Sequence, residues 1–338
     1  MTRDMLFSVL CGMLAAKGRG EALLGNGMGE VRSAFARMMP ELDGIHAYFE
    51  ISLAGERGLD VHCSVEDTVP AGCVPDSADP AWRDALAWFS HIAPVQTKAG
   101  RVQLMAEADT SMDPCARPGT YLIHHDRYDL VEPYLAAVRA SDRLSVWKDF
   151  CARLPKGWKT SYVGLFPGRA GGHLRVNAHQ SGAAVRLEEA VAELGLSAGR
   201  TSLGLCQELV ADSLGYDVQL DLDDRGIPLP DFALEFYLDG ALSPQFPWDD
   251  GRAERAFACM EARGAADARW RLLVGADVSK RATLPHAGAA IPCAVSLRTF
   301  SVKVRFADGK PVLAKAYLRG DACVYEAEPA APTAVMPK

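Results

Sequence analysis

What the sequence lacks narrows it first. None of its nine cysteines forms a CxxC pair, and no His/Cys group has zinc-site spacing. The cysteines are isolated and odd in number, which argues against a disulfide framework. Reduced, mostly structural thiols in a cytoplasmic protein are expected. No apolar run approaches the roughly 18 residues of a membrane helix. Met5 to Ala16 is only mildly apolar and lacks a clear cleavage site, so no signal peptide is expected. Positive charge is not in excess: 36 Lys and Arg stand against 43 Asp and Glu, for a net charge of −7. The basic residues are also scattered, which argues against nucleic acid or an anionic membrane as the main partner.

What is present is alternation. In HAYFEISLAGERGLDVHCSVED, Ala47, Phe49, Ile51 and Leu53 fall on one face, and His46, Tyr48, Glu50 and Ser52 on the other. After a Gly-containing turn, Leu59, Val61, Cys63 and Val65 oppose Asp60, His62, Ser64 and Glu66. Period-two alternation around such a turn predicts a β-hairpin. The pattern returns at intervals along the chain, as VQLMAEADTS with YLIHHD, TSYVGLFPG with HLRVNAHQ, and YDVQLDLDD with FALEFYLDG. AVSLRTFSVKVRF with PVLAKAYLRG is the last pair. Helical stripes fill the gaps. Asp79 to Ile92 has a capping Asp followed by Pro at the first helical position. Leu130 to Leu154 (with a candidate break near Ser141), Ala183 to Leu196, Leu203 to Leu214 and Asp250 to Leu273 are further predicted helices.

The expected fold is α+β, with five hairpins making ten antiparallel strands. Strands at 46–54, 59–66, 172–180, 231–239, 300–306 and 311–319 carry the plainest faces. Amphipathic helices need an apolar surface to cover, and the apolar strand faces supply it. An open sheet with a solvated polar face is one arrangement. Closure into a barrel removes the exposed edges and turns the polar face into a lumen, and it is the arrangement expected here. The barrel should span 46–320, after an N-terminal helical segment at 1–45 and before a disordered tail at 321–338.

The inward residues would then mix cations (Arg175, Lys303, Arg305, Lys315, Arg319), acids (Glu50, Asp60, Asp221, Glu235), tyrosines (Tyr48, Tyr237, Tyr317) and histidines (His62, His173, His179). Cations suit a diphosphate, tyrosine faces suit a carbocation, and an isolated carboxylate suits a proton acceptor. His124-His125 lacks partners at ligand spacing. Gly168 to Gly172 joins two strands and is a hairpin loop, not a phosphate loop. Trp82, Trp88 and Trp147 are expected in the core.

On these residues the chain resembles the α/β "ABBA" prenyltransferases, whose ten-stranded PT barrel is built from five ααββ repeats. FEISLAG looks like the first strand of the indole and peptide enzymes, which implies that Glu50 hydrogen-bonds the acceptor and takes its proton. KPVLAKAYL is similar to their last strand, which implies that Lys315 holds diphosphate and Tyr317 shields the cation. HLRVNAH puts Arg175 in the lysine position and Asn177 in the tyrosine position. LEFYL, with Glu235 and Tyr237, is similar to the Glu-x-Tyr of the cyanobactin peptide prenyltransferases.

The resemblance implies diphosphate binding at Arg175, Lys315, Lys303, Arg305 and His62, and a carbocation shield of Tyr237 and Tyr317. It implies acceptor contacts at Tyr48, Asp221 and Glu235. Asp60 and His62 stand where relatives usually carry arginine, which leaves room for Mg²⁺ at Asp60. No DDxxD-type aspartate pair stands on a predicted helix, against the all-helical prenyl synthases. The implied activity is transfer of a dimethylallyl or longer prenyl group from its diphosphate to a side chain of a peptide natural product. The short ending after the last strand, as in the cyanobactin enzymes, favours that acceptor. The alternatives are a free aromatic or indole metabolite as acceptor, or a non-catalytic barrel binding a phosphorylated ligand. A monomer is expected.

Overall fold

The computed structural model describes residues 12, 28–38, 46–55, 59–66, 69–76, 78–93, 102–109, 117–167, 172–180, 187–198, 203–204, 206–207, 215–237, 252–273, 278–286 and 289–324. Eleven strands form one sheet: β1 (His46–Ser52), β2 (Leu59–Val65), β3 (Gln103–Asp109), β4 (Gly119–Ile123), β5 (Trp158–Leu165), β6 (Leu174–Gln180), β7 (Gly215–Leu222), β8 (Pro228–Tyr237), β9 (Val278–His286), β10 (Ala289–Ala307) and β11 (Lys310–Val324). Strands β1 to β8 are neighbours in chain order, β8 pairs with β10, β10 with β11, and β11 returns to β1. The sheet is therefore a closed ring of ten strands, and every pairing around it is antiparallel. β9 is an addition the sequence did not suggest; it pairs with the first half of β10 outside the ring.

Closure explains an otherwise costly strand. Every residue of β2 is buried, the charged Asp60 and His62 as fully as Val61 and Cys63. A half-solvated antiparallel sheet would bury only one of those faces. The apolar faces point outward, as alternation predicts. Phe49, Ile51, Leu174, Val176, Leu234 and Phe236 are fully buried in one cluster shared with the helices.

Helices among the described residues include α1 (Met28–Met38), α2 (Pro80–Ile92), α3 (Val131–Ala137), α4 (Leu144–Arg153), α5 (Leu187–Glu193) and α6 (Arg252–Ala262). In α2 the Asp79 carboxylate accepts from the amides of Ala81 and Trp82, at 2.8 and 3.3 Å, so the predicted cap forms. Its Trp82, Leu86 and Phe89 stripe is fully buried against the barrel. Burial of such a side chain contributes roughly 1.5–3 kcal/mol. Trp82 Nε1 also donates to the Met38 carbonyl at 2.8 Å and ties α2 to α1. Among the described residues no helix is long and apolar enough to cross a membrane.

Some predicted boundaries move. Leu130 to Leu154 is two helices, with the break expected near Ser141 falling where Arg139 takes a positive φ of 61° and turns the chain. The proposed tail boundary at 321 falls inside β11, which stays paired with β10 as far as Val324. The remaining tail, most of 1–45 and the loop 168–171 lie outside the described residues.

Two bulges matter for the lumen. The β5–β6 register skips Ser161, and the β10–β11 register skips Phe300. An extra residue on one strand breaks the period of two and re-aims a side chain. Ser161 and Phe300, which alternation puts outside with Val163 and Val302, instead meet lumenal groups.

Candidate active site

The lumen is organised around Glu50. This residue is 1% exposed. Its Oε1 lies 2.8 Å from Lys315 Nζ and 3.0 Å from Lys303 Nζ, and its Oε2 lies 3.1 Å from His62 Nε2. Lys315 also reaches Asp60 Oδ2 at 2.9 Å. Lys303 donates to the Tyr317 hydroxyl and lies 5.0 Å from the centre of that ring. Burial alone would raise the Glu50 carboxyl; Lys303, Lys315 and His62 outweigh it and hold the group well below its ordinary 4.5. Burial likewise opposes charging His62, but Glu107, Glu50 and Asp60 outweigh it and raise the imidazole above 6.5.

The resemblance assigned His62 to diphosphate, yet both ring nitrogens are engaged within the protein. Nε2 faces Glu50, and Nδ1 is 2.6 Å from the Tyr121 hydroxyl and 3.7 Å from Glu107 Oε2. His62 is thus built to tie two carboxylates together. Glu107 and Tyr121 were not singled out from the sequence. The alternation of Gln103, Met105 and Glu107 against Leu104 and Ala106 carried the signal for the first.

Arg175 and Asp221 answer each other. Nε and Nη2 donate to the two carboxylate oxygens at 2.7 and 2.8 Å, a bidentate pair on adjacent strands. The guanidinium also lies 4.5 Å from the centre of the Phe166 ring. Arg305 is 58% exposed, with Asp231 at 3.5 Å, and so stands at the barrel rim rather than in the lumen. Glu235 is buried and accepts from Ser301 Oγ at 2.8 Å. Burial pushes its carboxyl up to about 7 against the opposing pull of Lys303.

An aromatic belt lines the same space. Tyr48, Tyr121, Tyr162 and Phe166 form a buried cluster with Met105, separate from the outer core. Phe300 meets Tyr48 and Tyr237 edge-on, with ring centres 5.5 and 5.7 Å away. Arg319 covers Tyr48 at 5.8 Å. Tyr121, Tyr162, Phe166 and Phe300 were all missed from the sequence. Two glycines make room for the belt: a Cβ on Gly119 would stand 2.3 Å from the Phe166 ring, and one on Gly164 2.7 Å from the Tyr121 Cβ.

Magnesium at Asp60 does not fit these residues. The ion needs free oxygen ligands in near-octahedral geometry, and the Asp60 carboxylate is already paired with Lys315. Among the described residues, the groups close enough to share a cation are Glu50, His62 and Glu107. Two ammonium groups already sit on the first of them.

No protein-family model matches the sequence, and no curated protein matches it. Solved structures do. A 5-dimethylallyltryptophan synthase from Streptomyces coelicolor superposes with a TM-score of 0.54 at 14% identity, over 93% of this chain and 97% of that one. The prenyltransferase PriB gives 0.52 at 12% identity in its apo form, and 0.54 at 11% with product diphosphate; both cover 94% of this chain and 96% of that one. The fold is the ABBA prenyltransferase barrel. At these identities the likeness is one of fold. The closed ring encloses the buried polar residues, and the outer core lies between barrel and helices.

His124, of the His124-His125 pair, faces the outer core. It packs against Tyr128 and Trp147, and burial lowers it to about 4. Trp82 and Trp147 are core residues too, and Trp88 packs against that core.

Proposed function

We propose that the protein is a prenyltransferase, moving an allylic group from its diphosphate to a nucleophilic acceptor inside the barrel. The observation that carries this reading is Glu50 held between Lys303 and Lys315 in a lumen lined by tyrosines. The two ammonium groups would hold the leaving diphosphate through charge-assisted contacts. Tyr317 and Tyr237 would face the developing allyl cation, and the closed wall would keep water from it. Glu50 would accept a hydrogen bond from the acceptor and take its proton after attack.

The pairing supplies an order of events. With both lysines on Glu50, the carboxylate is a weak base. A diphosphate that draws the lysines away removes the cations that hold its pKa down, so donor binding strengthens the base that the next step needs. His62 stands between Glu50 and Glu107 and would carry the proton onward. Arg175 is paired with Asp221, so its part is to stiffen the wall beside Phe166. Arg305, at the rim, would meet an incoming donor only in passing.

The acceptor we favour is an electron-rich aromatic. One neighbour is named for dimethylallyltryptophan, and a PriB complex contains L-tryptophan with dimethylallyl thiolodiphosphate. A side chain within a peptide natural product, as in cyanobactin tailoring, is the second reading, and the lumenal pair Glu235 and Tyr237 favours it. A monomer working in the cytoplasm belongs to the same reading.

The test is incubation with dimethylallyl and geranyl diphosphates while diphosphate release is followed. Free tryptophan, tyrosine and arginine compete against the same residues in a short cyclic peptide. Prenylated product with stoichiometric diphosphate is expected. Ligand retention with no release would leave a binding barrel, and product confined to free amino acids would remove the peptide reading.

A further inference from the structure

One group on the lumen wall has no part in the scheme above. Asp217, on β7, is 7% exposed. Its Oδ2 accepts from Ser161 Oγ at 2.9 Å, the Tyr237 hydroxyl at 3.0 Å and Asn177 Nδ2 at 3.5 Å. Ser161 reaches it only because of the bulge in β5. Glu50, Asp60 and Asp221 each have a lysine or arginine within ion-pair distance. Among the described residues Asp217 has none; burial raises its carboxyl, and the nearby His179 opposes that. In register its neighbour on β8 is Glu235, a second buried acid.

A second observation points the same way. Asn177 is 1% exposed, and its Oδ1 has no hydrogen-bond partner in the protein. His179 Nδ1, two residues along the same strand, is also buried and unpartnered. A buried acceptor left without a donor is destabilising, so Asn177 Oδ1 calls for a partner that donates. The unanswered groups are the Asn177 amide oxygen, an acceptor, and a histidine nitrogen that accepts or donates with its tautomer, beside a carboxylate that has no lysine or arginine partner among the described residues.

We propose that Asp217, with Asn177 and Glu235, is a recognition site for a protonated nitrogen on the acceptor, a primary ammonium or a guanidinium. Such a group supplies several N–H donors and the permanent positive charge that no lysine or arginine brings to Asp217. The register runs from Asp217 to Glu235 and from Glu235 to Lys303. Two strand spacings, about 10 Å, therefore separate this site from the lysine pair. A cationic end held here would leave the remainder of the molecule to reach along the tyrosine belt toward Glu50. The word acceptor rests on the transfer reading; the cation site itself does not.

Calorimetric titration of the full chain with tryptamine and with N-acetyltryptamine tests it, with agmatine as a guanidinium probe. Tryptamine should bind the wild type about tenfold more tightly than its acetylated form, the scale of one hydrogen bond to a charged group. Asp217→Asn should erase most of that preference and leave the Kd for dimethylallyl thiolodiphosphate within about twofold. Equal binding of the two amines by the wild type, or no binding of tryptamine and agmatine, overturns the proposal without needing the variant to fold. So does a preference that survives in Asp217→Asn. Amine preference without any binding of the thiolodiphosphate would support the cation site and overturn the transfer reading instead.

Discussion

Lys315 opposes Ser52 in the β1–β11 register, yet its ammonium lies 2.8 Å from the carboxylate of Glu50, the diagonal neighbour. The reach across the diagonal lets one lysine touch both Glu50 and Asp60. It also makes the proposed base and the proposed diphosphate ligand a single electrostatic unit, in which neither can change alone.

Glu50→Gln keeps the shape and removes the base. Turnover at saturating donor should fall by roughly 10²–10⁴-fold, the range of a positioned proton acceptor. The donor KM should fall or hold, because the lysines are released from their anion. Steady-state kinetics read both, and unchanged turnover would take Glu50 out of the chemistry.

Lys315→Ala should weaken donor use by roughly tenfold to a hundredfold, about 1.5–3 kcal/mol for a lost charge-assisted contact. It also leaves Asp60 buried without its lysine, and breaking a buried pair costs about 3–5 kcal/mol. Donor kinetics together with urea denaturation would show a loss in each. A variant that is less stable but uses donor normally would leave Lys315 with a structural role only.

Arg305→Ala is the contrast. With Arg305 58% exposed and Asp231 at 3.5 Å, the substitution should move stability by less than about 0.5 kcal/mol. Donor KM should change by less than about threefold. A loss matching that of Lys315→Ala would mean the rim residue reaches the bound diphosphate.

Glu235 sets a pH dependence with a definite sign. Its folded carboxyl is raised from 4.5 to about 7, so between those values the folded chain holds a proton that the unfolded chain has released. Stability therefore falls as pH rises from about 4.5 to about 7 and then levels, by an amount on the order of 3 kcal/mol. Glu235→Gln retains an acceptor for Ser301 and should be the more stable protein at pH 8, with the difference shrinking toward pH 5. Denaturation at the two pH values checks it; equal slopes in both proteins would deny the buried protonation.

Gly164→Ala should disturb the aromatic belt. A methyl there would stand 2.7 Å from the Tyr121 Cβ, and close packing leaves no free volume to absorb it. A loss of about 1–3 kcal/mol in stability is expected, with a larger fall in turnover than in donor binding. Thermal melts and donor titration separate the two.

The sequence by itself determined which side of each strand faces the helices. Phe49, Ile51, Leu174 and Val176 alternate with Glu50, Arg175 and Asn177, and alternation is a property of adjacent residues that needs no distant partner. It also marked Glu50, Lys303 and Lys315 as inward, and all three now share one ion-pair knot. Who meets whom was left to the tertiary structure. Lys315 and Asp60 are 255 residues apart in sequence, and only closure of β11 onto β1 brings them to 2.9 Å. The engagement of His62 by Glu50 and Tyr121, and of Arg175 by Asp221, depends likewise on strand register. The bulges that turn Ser161 and Phe300 inward are settled by pairing with a partner strand, because a local pattern of period two has no way to record one extra residue.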